Sequence, residues 1–250
     1  MLQESAARTN EIANWLTDSA RSRLQLIDKA QGSVLIEAGE TPLYVYFPIG
    51  CIVTLLHTLK DGSATEVSTV GQEGMIGVES FWSGQFAMGS AVVCSGGQAY
   101  RLRTDQFRRE LSDNISLRFA LLRFTQELMS QITQTAACHR YHTVSQQLCR
   151  WLLNSMARIG SPHISMTHEL IARMLGVRRE GVTESACKLQ KLGVISYSRG
   201  HIEVRDRDRL ESMSCECYGA MQRMTVPLPK LRAMRRHDVP ISTLPQRLSA

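Results

Sequence analysis

Residues 104–158 contain neither proline nor glycine, while residues 33–103 just before them are broken every few positions. The earlier stretch carries Gly39, Pro48-Ile49-Gly50, Asp61-Gly62, Gly71, Gly74 and Gly96-Gly97. Between these lie short runs rich in Val, Ile, Leu, Tyr and Thr: "SVLIEAG", "LYVYFPIG", "CIVTLLHTL", "ATEVSTVG", "SAVVC" and "AYRLR". β-Branched and aromatic runs bounded by turn residues read as strands. Strands this short, with turns about every ten residues, build a small antiparallel roll or barrel. No helical pattern alternates with them, which excludes a parallel α/β sheet. The expected class is α+β, with an N-terminal antiparallel β-roll followed by helices.

Within the unbroken stretch, Leu117, Leu121, Phe124 and Leu128 recur at spacings of 4, 3 and 4, and Ile132 and Thr135 continue the face. That is one apolar stripe on a long helix, close to a heptad seam. The seam is expected to pair with its twin in a homodimer; the alternative is that it lies on the roll of its own chain. A second helix over 142–158 carries Val144, Leu148, Trp151 and Leu152, with Ile159 just beyond. Gly160-Ser161-Pro162 ends it. Residues 227–250 hold four prolines and five Lys+Arg against one Asp, and read as a poorly ordered basic tail. The expected units are therefore 1–103, a long helix 104–138, a C-terminal domain 139–226, and the tail 227–250.

Charge divides the same way. Residues 1–138 hold 11 Lys+Arg against 14 Asp+Glu, or −3; residues 139–250 hold 18 against 9, or +9. A basic half beside a mildly acidic one points to a polyanion partner for the former. No apolar run of membrane-spanning length and no basic-then-apolar leader is present, so a cytoplasmic protein without a membrane span is expected. The seven cysteines are scattered and odd in number, and read as reduced thiols.

The basic half contains "SMTHELIARMLGVRREGVTESACKLQKLGVISYSRGHIEV", residues 165–204. Thr167 can cap a helix bearing Leu170, Ile171, Met174 and Leu175. Ala172, Gly176 and Val182 stand at relative positions 0, +4 and +10. A small residue lets two helices approach, a glycine makes the turn, and an aliphatic pins the second helix: this is the skeleton of a helix-turn-helix. On the second helix, over 178–191, Glu180, Thr183, Glu184 and Cys187 share one side. Val182, Ser185, Ala186 and Leu189 share the other. Arg178 and Arg179 at its start reach phosphate or guanine, Glu180 can accept from cytosine, and Lys188 adds charge. "VISYS", a turn at Arg199-Gly200, and "HIEV" form a β-hairpin wing. Double-stranded DNA is the expected partner.

With these motifs the chain resembles the bacterial Crp/Fnr family of transcription regulators. The resemblance runs through Gly39-Glu40-Thr41-Pro42, Val45-Tyr46-Phe47-Pro48, "RYHTVSQQLCRWLL" and "LGVRREGVTESACKLQKLGVI". It implies a homodimer, an effector domain of cyclic-nucleotide-binding fold, a dimerisation helix, a winged helix-turn-helix, two-fold related half-sites, and contact with RNA polymerase. The family's recognition helix often continues its Arg-Glu pair with a later Arg. Arg179 and Glu180 match the pair, but Glu184 stands where that Arg is expected, so the half-site is expected to differ.

The effector cassette also departs. In cyclic-AMP-binding relatives a Gly-Glu pair holds the ribose and an Arg-Ser-Ala step holds the phosphate. Here "GMIGVESFWSGQFAMGSAVV", residues 74–93, supplies Gly77 and Ser90-Ala91, but Val78 takes the Glu place and Gly89 the Arg place. A one-residue slip would offer Glu79 as the acid. No basic residue occurs between Lys60 and Arg101, so the phosphate would lack its charge-assisted partner. Cyclic AMP is therefore not the expected effector; Phe81, Trp82, Phe86 and Met88 either fill the space or shape it for something less anionic. No cofactor is expected. No Cys precedes Cys51, against an N-terminal iron–sulfur cluster. Cys138 and His142 stand at i, i+4 beside His139, without a third ligand in register, and Cys215 and Cys217 are neighbours; each pair reads as packing, and no metal is expected. Cys187, on the DNA face, is the thiol whose oxidation would disturb docking. No nucleophile–base set or P-loop points to an enzyme. The alternatives to an operator-reading regulator are a non-specific basic DNA-binding protein and a thiol-based redox regulator.

Overall fold

The structure is a computed structural model that describes residues 10–82 and 86–224. The expected basic tail at 227–250 and residues 83–85 of the cassette lie outside the described residues.

The chain opens with a 3-10 turn (Ala13–Trp15) and a short helix α1 (Asp18–Arg21) capped by Thr17. Strands β1 (Gln25–Lys29), β2 (Val34–Ile36), β3 (Tyr44–Pro48), β4 (Ile52–Thr58) and β5 (Ala64–Val70) follow. Helix α2 (Glu79–Trp82) comes next, then β6 (Ser90–Ser95) and β7 (Gly97–Arg103). They make two antiparallel sheets, ordered β2-β6-β4-β5 and β1-β7-β3. Alternation places Val45, Phe47, Val53, Val70, Ala91, Val93 and Leu102 in the shared core. β1 is an addition to the sequence reading: "QLIDK" is polar and mostly exposed, yet it pairs with β7 from Gln25↔Arg101 to Lys29↔Gly97.

The expected single helix at 104–138 is two. α3 (Thr104–Asp113) ends at Asn114 (φ −108°, ψ 95°), and α4 (Ile115–Tyr141) begins there. Asn114 makes the break without glycine or proline. Its Oδ1 accepts from the Leu117 amide at 3.0 Å, and its Nδ2 donates to the Trp15 carbonyl at 2.8 Å. The asparagine thus caps one helix while anchoring the corner to the N-terminal turn.

α4 corrects the assignment of its own seam. Leu117, Leu121, Phe124 and Leu128 are buried in the roll core with Phe47, Met75 and Phe107, so they are not a surface for a second chain. The reason lies in Gly74, whose missing side chain leaves the space that the Phe124 ring occupies. The opposite face of α4 instead leaves Ile115, Phe119, Leu122 and Met129 exposed, from 43% at Phe119 to 59% at Met129.

α5 (Val144–Ile159) starts from a capping box, Thr143 with Gln146, and stops at Gly160 in the left-handed region. β8 (His163–Ser165), α6 (His168–Leu175), α7 (Arg179–Lys191), β9 (Ile195–Ser198), β10 (His201–Val204), α8 (Arg207–Ser212) and α9 (Cys217–Met224) complete the described chain. A second core unites Leu148, Trp151 and Leu152 of α5 with Ile171, Leu175, Val182, Leu189 and Ile202. β8 is a second strand that sequence reading missed; it pairs with β10, giving the wing three strands in the order β8-β10-β9. No described helix is long and apolar enough to cross a membrane.

Candidate DNA interface and effector cassette

α6 and α7 meet as their spacing demands. Thr167 caps α6, its hydroxyl accepting from the Leu170 amide at 3.2 Å. Ala172 is buried between the helices, and Gly176 takes φ +64° at the turn, a conformation costly for any residue with a Cβ. Val182, Ser185, Ala186 and Leu189 are all buried. Arg178, the residue before the first turn of α7, and Arg179, Glu180, Glu184, Cys187 and Lys188 are exposed. Cys187 is the one exposed cysteine among the described residues. Arg199 sits at the exposed wing tip at φ 47°, the conformation a tight hairpin requires.

Thr183 is the exception. It is half-buried, its hydroxyl donates back to the Arg179 carbonyl at 3.0 Å, and it stands 3.1 Å from His168 Nδ1. Its hydroxyl therefore braces α6 against α7 rather than pointing freely outward. His168, which sequence reading did not single out, is buried here. Its ring stacks on Tyr197 of the wing with centroids 3.9 Å apart, and burial, with Arg179 nearby, pushes its pKa down. The neutral ring thus joins three elements: α6, α7 and the wing.

The effector cassette is folded into the roll. Gly77 turns the chain at φ +94°, Val78 is buried, and Glu79 begins α2 with its carboxyl pushed up by burial. A Cβ on Gly89 would lie 2.5 Å from the Leu56 carbonyl oxygen, so the place of the family's Arg has no room for any side chain. Ser90 Oγ accepts from the Ala38 amide at 3.3 Å, and Ala91 is buried opposite Leu55. Phe81 packs on Phe107 at 4.7 Å, filling space beneath the sheet, whereas Phe86 and Met88 are exposed.

A separate cavity of about 530 Å3 lies between β4–β5 and α5, with Glu66, Gln131, Arg150, Trp151 and Arg158 in its walls. Arg158 donates to Glu73 at 3.2 Å and to the Thr69 carbonyl at 3.2 Å. Glu66 is buried, and burial raises its carboxyl against the pull of Arg150 and Arg158. Its Oε2 and the Arg150 Nε lack hydrogen-bond partners among the described residues. The signal in the sequence was there: in "ATEVSTV" Glu66 shares the inward face with Ser68 and Val70.

Comparison with known proteins fits this geometry. Residues 27–114 match the cyclic nucleotide-binding domain family, and residues 146–213 match the Crp-like helix-turn-helix domain family. The two matches together span more than half of the chain. The chain belongs to the Crp/Fnr family of transcription regulators. A CRP-like cAMP-activated global transcriptional regulator of Mycobacterium tuberculosis is 23% identical over 195 residues, 75% of this chain and 87% of that protein. Among solved structures, FixK2 of Bradyrhizobium japonicum shares the fold with a TM-score of 0.66 at 16% identity, covering 77% of this chain and 98% of its own. A CRP-family transcriptional regulator of Thermus thermophilus does so with a TM-score of 0.66 at 18% identity, covering 75% and 96%. As a Crp-family protein the chain is a transcription regulator with a helix-turn-helix DNA-binding domain, and the family is one of regulators rather than enzymes.

Proposed function

We propose that this Crp/Fnr-type regulator acts as a homodimer that reads a two-fold related operator through α7, under an effector other than cyclic AMP. The observation that carries the reading is the division of α7, with Arg178, Arg179, Glu180, Glu184 and Lys188 exposed over a fully buried inner face. Such a helix enters the major groove with its N-terminal residues at base edges, while lysines and the wing arginine Arg199 meet phosphates. Ile115, Phe119, Leu122 and Met129 supply the dimer seam, at spacings of 4, 3 and 7 that fit one heptad stripe. A second copy placed there sets two α7 helices to read half-sites about one helical turn apart.

The argument against cyclic AMP rests on Val78 and Gly89. An unopposed phosphate in a small pocket loses the bidentate partner that makes such sites bind, and Leu56 leaves no room to restore one. The cavity lined by Glu66, Arg150 and Arg158 offers space for a small polar ligand instead; native and denaturing mass spectrometry of the purified protein would register a co-purified one.

Selection of bound sequences from a random duplex pool tests the DNA reading. Wild type should return a palindromic consensus. Arg179→Ala should lose about 1–3 kcal/mol of discrimination at one base position, whereas Glu184→Ala should shift the preferred base or tighten binding. An unchanged consensus with Arg179→Ala, or binding without any consensus, would overturn the assignment; the latter is the signature of a non-specific basic protein.

A further inference from the structure

The two cysteine-bearing pairs that carry no meaning separately come together in three dimensions. Cys138 lies in the last turn of α4 and His142 is its C-cap; Cys217 is the first residue of α9, and Cys215 precedes it by two. One ligand atom from each of the four lies within 4.8 Å of all the others. Cys138 Sγ is 3.5 Å from Cys215 Sγ, and Cys217 Sγ is 3.5 Å from His142 Nδ1. The three thiols are buried in a small core of their own, apart from the two main cores.

These separations decide between kinds of occupant. Tetrahedral Zn–S bonds of about 2.3 Å and Zn–N bonds of about 2.0 Å set S···S near 3.8 Å and S···N near 3.5 Å. The two observed separations fit a single small ion. They are too long for a sulfur–sulfur bond of about 2.05 Å.

The groups around the ligands are those a metal site needs. With Nδ1 toward the thiols, the other nitrogen of His142, Nε2, faces the Glu216 carboxylate at 3.2 Å. A carboxylate behind a ligating imidazole fixes its tautomer and strengthens it as a donor. Gln134 Nε2 donates to Cys217 Sγ at 2.9 Å, as an amide does to a metal-bound thiolate.

We propose that Cys138, His142, Cys215 and Cys217 form a tetrahedral, zinc-class site that ties the end of α4 to α9. Protein atoms fill all four positions, which makes the site structural rather than catalytic. Its place is mechanical: α4 belongs to the effector half, while α9 packs on both α4 and α5. The ion would hold the C-terminal segment beyond the winged helix against the helix that enters it.

The test uses the full-length protein, reduced, desalted and titrated with Zn2+ in competition with a chromophoric chelator, with Co2+ as a spectroscopic substitute. Wild type should take up about one zinc per chain, show the intense visible bands of thiolate-bound tetrahedral cobalt, and melt at a lower temperature after chelation. Cys215→Ser combined with Cys217→Ser should abolish uptake, and Glu216→Gln should weaken it about 10-fold. Cys51→Ser and Cys187→Ser should leave it intact. Folded, reduced wild type that binds no more zinc than the double variant overturns the proposal, as does an octahedral cobalt spectrum. Wild type whose Cys138 and Cys215 are joined by a disulfide, and which takes up no zinc once reduced, overturns it too. None of these readouts depends on DNA binding.

Discussion

Leu121 and Leu122 are neighbours in sequence and opposites in environment, so truncating each in turn tests how α4 is used. Leu121 is fully buried beneath the roll; Leu122 is 49% exposed on the far face. Leu121→Ala removes buried methyl groups and leaves a cavity, at a cost of about 3 kcal/mol. That should lower the denaturant midpoint of the roll without changing self-association beyond the loss of folded protein. Leu122→Ala removes no intrachain core. A fully buried leucine is worth about 1.5–3 kcal/mol, and a dimer could bury only the half of Leu122 still exposed. That is about 1 kcal/mol per protomer and about 2 kcal/mol per dimer, near a 30-fold weaker association. Leu122→Asp should weaken it further, since each copy would then bury a charge. Sedimentation equilibrium reads association, and urea unfolding at fixed protomer concentration reads stability. The reverse pattern, with Leu121 controlling the dimer and Leu122 the roll, would refute the facing of α4 and with it the proposed dimer.

Two further outcomes follow from residues already placed. His168 has a depressed pKa in the fold, while in the unfolded chain it protonates near its ordinary value of about 6.5. The unfolded state therefore binds more protons as pH drops below that value, and stability must fall with it. The melting temperature should drop between about pH 7.5 and about pH 5.5. His139, pushed down to about 4 by burial and by Arg150, adds to the same slope, so His168→Gln should lessen it rather than abolish it; an unaltered slope would remove His168 from the account. Gly89→Arg, which restores the family residue on paper, should destabilise the roll and yield no cyclic AMP binding by calorimetry; saturable binding in a folded variant would show that β6 has more freedom than its contact with Leu56 implies.

What could be read from the sequence was what local spacing determines. Ala172, Gly176 and Val182 lie within eleven residues, and their chemistry dictates one arrangement, which the fold adopts. The strands bounded by Gly39, Asp61-Gly62 and Gly96 were legible for the same reason. β1 was not, because an edge strand facing solvent needs no apolar alternation. The break at Asn114 was hidden because a side-chain cap, not glycine or proline, makes it. α4 carries two apolar stripes, and nothing local says which one meets the roll; Gly74, far away in the chain, decides it by admitting Phe124. The thiol cluster was invisible for a related reason: Cys138 and Cys215 are 77 positions apart, and neither pair is complete by itself.

Gly176 has a consequence beyond the turn it makes. A Cβ there would stand 2.9 Å from Thr65 Oγ1 at the start of β5, and the same hydroxyl is 3.4 Å from the Met174 carbonyl. A single missing methyl group thus sets both the bend inside the reading head and its clearance from the β-roll. The two can be separated: Gly176→Asn keeps a residue that tolerates the left-handed conformation but collides with Thr65, and Thr65→Ala relieves much of the collision. The pair works as an adjustable spacer, a way to pry the head away from the roll in graded steps and ask how operator affinity follows.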